Sequence, residues 1–122
     1  MTLFVKENFI SHAGKELDFK IECDGLSHKD WETLAYIVSK KYKFRNVIGV
    51  PKGGLKLSQP LQRYNDHSSN NILIVDDVLT TGMSMEEVKK KLNSKIYNII
   101  GIVVFARNSC PEWINPIFKM WG

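Results

Sequence analysis

Cysteine is scarce in this sequence. Cys23 and Cys110 are the only two among 122 residues, too few and too far apart for a metal-binding or CxxC arrangement, and they read as free thiols in a reducing cytoplasm. Long apolar runs are missing: no window approaches the length that a bilayer span requires. The opening MTLFVKENFI lacks the basic-then-apolar layout of a signal peptide. The expectation is therefore a soluble, cytoplasmic protein with no membrane contact. Repeats, low-complexity tracts and linkers are lacking too. With 43% hydrophobic residues, the chain reads as one domain spanning 1–122, with one core and one site. An excess of acid is also absent. Lys and Arg outnumber Asp and Glu by 17 to 13, for a net charge of +4 and a pI near 9.1. That mild basic balance favours an anionic ligand without requiring nucleic acid.

What the chain does contain is a series of apolar, β-branched runs separated by helical patterns. NVIGV at 46–50, NILIV at 71–75, NIIGIVVFA at 98–106 and, more weakly, PIFKMW at 116–121 read as strands. The first three are nearly continuous rather than alternating, as in strands covered on both faces. DWETLAYIVSKKY repeats Trp31, Leu34, Ala35, Val38 and Tyr42 at helical spacing. In SMEEVKKKLNS, Met85, Val88 and Leu92 form one stripe, Ser84 with Glu87 predicts a capping box, and KKK is left as a solvated face. A short helix is predicted after Gly54, with Pro60 in its first turn near a cap at Ser58 or Gln59. The alternation predicts an α/β fold, an open and mainly parallel sheet flanked by helices. FISHAGKELDFKIE reads as two extended runs around Ala13 and Gly14, forming a small N-terminal hood.

The densest chemistry follows the second run. In an open parallel sheet, ligands bind beyond the carboxyl ends of the strands, and Asp76 and Asp77 fall at that end. Gathering two acids there is expensive unless hydroxyls, cations or a metal satisfy them, although one Asp capping a turn is the plainer alternative. TTGMS then supplies three hydroxyls and a glycine ahead of a helix whose positive end favours phosphate. Carboxylates for sugar hydroxyls beside a phosphate nest suggest a ribose phosphate.

These residues carry a resemblance. ILIVDDVLTTGMS is similar to the phosphoribosyl pyrophosphate (PRPP) motif of the type I phosphoribosyltransferases, a hydrophobic strand followed by two acids, a spacer and Thr-Gly. The resemblance implies that Asp76 and Asp77 meet the ribose hydroxyls and that Thr80, Thr81, Gly82, Met83 and Ser84 form the 5′-phosphate loop. ILIVDD alone also resembles the opening of a response-regulator receiver. Such a domain needs a later phosphoacceptor Asp, and none follows Asp77.

The rest of the chain extends the likeness. NVIGVPKGG gives a strand and a Gly-rich loop, and Pro51, Lys52, Gly53 and Gly54 align with the family's pyrophosphate loop, where a non-proline cis peptide is expected near Pro51 and Lys52. Lys52 offers charge to a pyrophosphate. By itself, Gly-Gly reads as an ordinary turn. FISHAGKELDFKIECDGL is similar to the hood of orotate phosphoribosyltransferases, with His12 where those enzymes tend to carry Lys. His12 is a candidate base contact or an exposed turn residue. Arg107, just past the third strand, stands where orotate enzymes place a base-binding Arg, with a surface ion pair as its alternative. Trp113 reads as core rather than lid. Thr80 stands where 6-oxopurine enzymes carry an acidic base, so a base needing no such acceptor, orotate-like, fits better.

The likeness thins between Pro51 and Asn71. Family members insert a further strand and a mobile catalytic loop there, and this chain has omitted them. Arg63 and His67 in that stretch have no assignable role. The resemblance implies a Mg²⁺-dependent phosphoribosyltransferase, with Lys52, Asp76 and Asp77 as the catalytic set, Mg²⁺ held indirectly by the acids through PRPP, PRPP and a nucleobase as ligands, and a homodimer. The alternative is a noncatalytic PRPP- or nucleotide-binding module. The Lys clusters at 40–43 and 89–91 keep nucleic-acid binding open.

Overall fold

The computed structural model describes residues 4–10, 16–21, 25–79, 81–106 and 109–119. A hairpin of β1 (Phe4–Ile10) and β2 (Glu16–Ile21) pairs antiparallel, with a register irregularity between Lys6 and Phe9. It forms a sheet of its own, beside which stand α1 (His28–Lys41), β3 (Asn46–Gly49), α2 (Leu55–Leu61), a 3-10 turn (Gln62–Tyr64), β4 (Asn71–Leu79), α3 (Met83–Lys90), β5 (Asn98–Ala106) and β6 (Ile114–Lys119). The last four strands make one parallel sheet in the order β3-β4-β5-β6. The α/β expectation and the N-terminal hairpin are both observed.

Helix α1 begins where its sequence provides a reciprocal cap. Ser27 Oγ accepts from the Asp30 N–H, and Asp30 Oδ2 accepts from the Ser27 N–H at 2.8 Å. The stripe Trp31, Leu34, Ala35 and Val38 is buried as its spacing predicts, and Lys40 and Lys41 close the last turn. Along β4, Leu73 and Val75 pack with α1 and α2, while Ile72 and Ile74 pack with Met85 of α3. Alternate side chains thus enter opposite helix layers, which is why the run is continuously apolar.

The two crossovers β3–α2–β4 and β4–α3–β5 step the same way across the sheet, yet their helices lie on opposite faces. They therefore have opposite hands, and one has the hand rarely seen in parallel sheets.

Three local expectations are corrected. Pro60 lies in the last turn of α2, not the first. The helix starts earlier because the Gly54 carbonyl accepts from both the Leu57 and Ser58 N–H groups, and this sets Leu57 and Leu61 on the buried face. Ser84 does not cap α3. Gly82, at φ 80°, is the N-cap and makes no side-chain cap bond, because the left-handed turn that glycine permits ends the preceding loop two residues earlier. Finally, β4 runs on to Leu79, so the acids lie within a strand rather than beyond it.

Candidate active site

The site begins where β3 stops. The ladder between β3 and β4 ends at Gly49↔Val75, whereas the ladder from β4 to β5 continues through Asp76↔Val103 to Leu79↔Ala106. Beyond Gly49 the chain turns. Val50 N–H donates to Val75 O at 2.9 Å, and Gly54 N–H to Val50 O at 2.8 Å. The Pro51–Lys52 peptide is cis, at the bond expected. The β3–α2 loop leaves toward one helix layer and the β4–α3 loop toward the other, the arrangement that in open α/β sheets places a ligand crevice between two such loops at the carboxyl end.

Glycine is needed in the first wall. A Cβ at Gly53 would run into the Asp77 carboxylate, and one at Gly54 into the Val75 carbonyl. The backbone of the Gly-rich loop is thereby pressed against Asp77 and β4, and Lys52 is exposed.

Strict alternation would aim Asp76 and Asp77 at opposite faces. Past them, however, Val78 packs with the α1/α2 cluster and Leu79 with the α3 cluster. The alternation has slipped by one, and the ladder to β5 passes over Asp77. Burial above all, with the neighbouring Asp77 carboxyl and its charge adding to it, pushes the Asp76 carboxyl up to about 7, against the lowering influence of the Asp77 N–H. Asp76 Oδ1 accepts from that N–H at 2.8 Å, and Asp77 Oδ1 accepts from the Val78 N–H at 2.8 Å. Each acid spends an oxygen on the adjacent backbone.

The second wall is the entry to α3. Thr81 Oγ1 accepts from the Met83 N–H at 3.3 Å, Gly82 is buried, and Met83 and Ser84 are exposed. The first-turn amides of a helix have no intrahelical acceptor and carry the positive end of its dipole, so this wall suits an anion. The acid pair is a hard-oxygen set of the kind Mg²⁺ accepts, in keeping with a cation shared with an oxygen-rich ligand. No group of three or more His, Cys, Asp or Glu side chains able to hold a metal unaided occurs among the described residues.

The structure thus brings together Pro51, Lys52, Gly53, Gly54, Asp76, Asp77, Thr81, Gly82, Met83 and Ser84 at one end of the sheet. His12, Thr80 and Arg107 lie outside the described residues, as does Cys23, while Cys110 is a free thiol. Arg63 sits 3.9 Å from Glu32, and the His67 carbonyl accepts from Arg45; neither belongs to the crevice. Sequence reasoning missed Glu86. Its Oε1 accepts from Trp113 Nε1 at 2.8 Å, Lys89 Nζ lies 4.5 Å from the same ring's centroid, and Trp113 presses on Gly101. Trp113 therefore fastens α3 to β5 and packs at the rim of the α3-side core. Glu86 and Lys89 at i,i+3 on α3 were the available signal, visible only once a partner across the sheet is known.

No helix among the described residues is long and apolar enough to cross a membrane. No family model and no curated protein matches the chain. Solved structures do. Orotate phosphoribosyltransferase from Aeropyrum pernix is 21% identical, with 87% of this chain covering 76% of that one at a TM-score of 0.60. The Francisella tularensis orotate phosphoribosyltransferase is 16% identical over 90% of this chain and 69% of its own, at 0.63. Helicobacter pylori xanthine-guanine-hypoxanthine phosphoribosyltransferase is 19% identical over 75% and 89%, at 0.53. The parallel sheet, its two loops and these likenesses together give the chain the type I phosphoribosyltransferase fold.

Proposed function

We propose that this protein binds PRPP in the crevice and transfers its phosphoribosyl group to a nitrogenous base, an orotate-like pyrimidine being favoured, with release of pyrophosphate. The observation that carries the reading is the placement of the Asp77 carboxylate directly against Gly53 of the Gly-rich loop. In this reading Asp76 and Asp77 accept hydrogen bonds from the ribose hydroxyls, and the backbone around Thr81 to Ser84, at the start of α3, takes the 5′-phosphate. Gly53, Gly54 and Lys52 face the pyrophosphate. Thr80 completes the phosphate loop, and Arg107 and His12 meet the base. Mg²⁺, bound with PRPP over the acids, would offset charge on the departing pyrophosphate, and the Lys52 ammonium adds to that from the loop. The product is a nucleoside monophosphate in which the base nitrogen has replaced pyrophosphate at C1 of the ribose.

One observation favours a second reading, a PRPP-binding module without turnover. From Gly54 to Asn71 the chain folds directly through α2 and the 3-10 turn into β4, with no projecting segment to cover the crevice. A bound PRPP would have no cover against water from this stretch.

Pyrophosphate release from PRPP and Mg²⁺ with orotate, uracil, adenine and guanine tests the two. Base-dependent release that disappears in Asp76→Asn/Asp77→Asn supports the transferase and names its acceptor. Saturable PRPP binding with no release for any base leaves the binding module, and no PRPP binding at all removes both.

A further inference from the structure

At the opposite end of the sheet, the last turn of α1 borders a groove of about 460 Å³ walled by Tyr36, Lys40, Lys41, Tyr42, Lys43 and Tyr64. Three of the chain's four tyrosines meet a cluster of lysines there. The lysines alone would be unremarkable, since cations at a helix C-terminus complement its dipole. Tyr36 has no such explanation. Tyr42 and Tyr64 lean on the core from its edge, and Tyr36 is 51% exposed, with Lys40 Nζ 5.2 Å from its ring centroid. Asp66 in the wall is already engaged, bridging Lys43 at 3.4 Å and accepting from Ser68 at 2.6 Å. The groove keeps a net positive charge.

Its floor is fixed before any ligand arrives. Asn71 Nδ2 and Ser69 Oγ both donate to Lys43 O, at 2.7 and 3.2 Å, and the Asp66 N–H donates to Phe44 O at 2.7 Å. A wall held by such bonds loses little freedom on binding.

We propose that this groove binds single-stranded nucleic acid, with Tyr36 and Tyr64 offering faces to unstacked bases and Lys40, Lys41 and Lys43 contacting the phosphates. A base on Tyr36 displaces the Lys40 ammonium toward the neighbouring phosphate. An acidic peptide would use the lysines and leave the rings idle, and a duplex keeps its bases stacked on each other. The site is separate from the acid crevice and stands whether or not the chain handles PRPP.

The test is fluorescence anisotropy of a labelled oligothymidylate of about twelve nucleotides, titrated with the full chain over a range of salt. Saturable binding is expected, weakening steeply as salt rises. Tyr36→Ala, at a half-exposed position and checked for an unchanged melting temperature, weakens it about tenfold. Lys40→Ala/Lys41→Ala weakens it by a similar factor of about ten and flattens the salt slope. Asp76→Asn/Asp77→Asn leaves it unchanged. The proposal is overturned by absence of binding at low salt, by Tyr36→Ala binding as tightly as the parent, or by poly-glutamate competing equally well at matched charge. Loss of binding in the double Asp variant overturns it too, because the ligand would then occupy the acid crevice.

Discussion

At the amino ends of β3 and β4, Arg45 donates to the Ser69 and His67 carbonyls, Asn71 donates to Lys43 O, and Asn98 Nδ2 donates to Asn71 Oδ1 at 3.0 Å. At the carboxyl ends, Asp76 and Asp77 accept from the backbone N–H of the next residue. The first region joins segments far apart in sequence and holds the sheet together. The second joins neighbours that the chain already connects, so its bonds add little to tertiary stability and can be supplemented by a ligand at small cost. One end of the same sheet is thus committed to the fold and the other is left for chemistry.

That contrast is sharpened first at the acids. Asp76→Asn/Asp77→Asn should lower PRPP affinity about 100-fold, given the worth of hydrogen bonds to charged groups, while calorimetric unfolding shows no loss of stability. A large fall in melting temperature would break the contrast. Next, Arg45→Ala should cost about 1–3 kcal/mol in denaturant unfolding and leave PRPP affinity of the folded protein unchanged. Altered affinity would mean that the two ends are coupled.

Trp113→Phe lies between the two regions. Losing the bond to Glu86 should cost about 1 kcal/mol of stability and, in the proposed reading in which the start of α3 takes the 5′-phosphate, raise the KM for PRPP about threefold with kcat constant. An unchanged KM would make Trp113 a packing residue alone.

The smallest effect is the pH dependence of stability. An acid whose folded pKa is raised binds its proton more tightly folded than unfolded, so folding gains as pH falls through about 7 and the penalty is complete above it. The melting temperature of the ligand-free protein should therefore rise from about pH 8 to about pH 6 relative to Asp76→Asn. Parallel profiles for the two proteins would show that Asp76 does not titrate in this range.

The strands and α1 were legible because burial on two faces and a 3.6-residue stripe leave unmistakable patterns, and the DD–TTG run marked the crevice because few other ligands need acids beside a nest. What stayed hidden depends on contacts between segments. Nothing in ILIVDDVL announces the slip in alternation across Asp76 and Asp77, which shows only in Val78 joining the face of Leu73 and Val75 and in Leu79 joining that of Ile72 and Ile74. Pro60 was placed in the wrong turn because the start of α2 is decided by the Gly54 carbonyl, a feature of the loop before it. The tie from Trp113 to Glu86 joins residues far apart in the chain, which no local pattern records.

Both borders of the parallel sheet are poor templates for a further strand. β3 offers four residues, and β6 carries Pro116, which has no N–H to donate, with Lys119 at its end. Among the described residues, therefore, runaway strand-to-strand aggregation finds little purchase on this sheet, even though β4 and β5 are as apolar as many amyloid-forming segments.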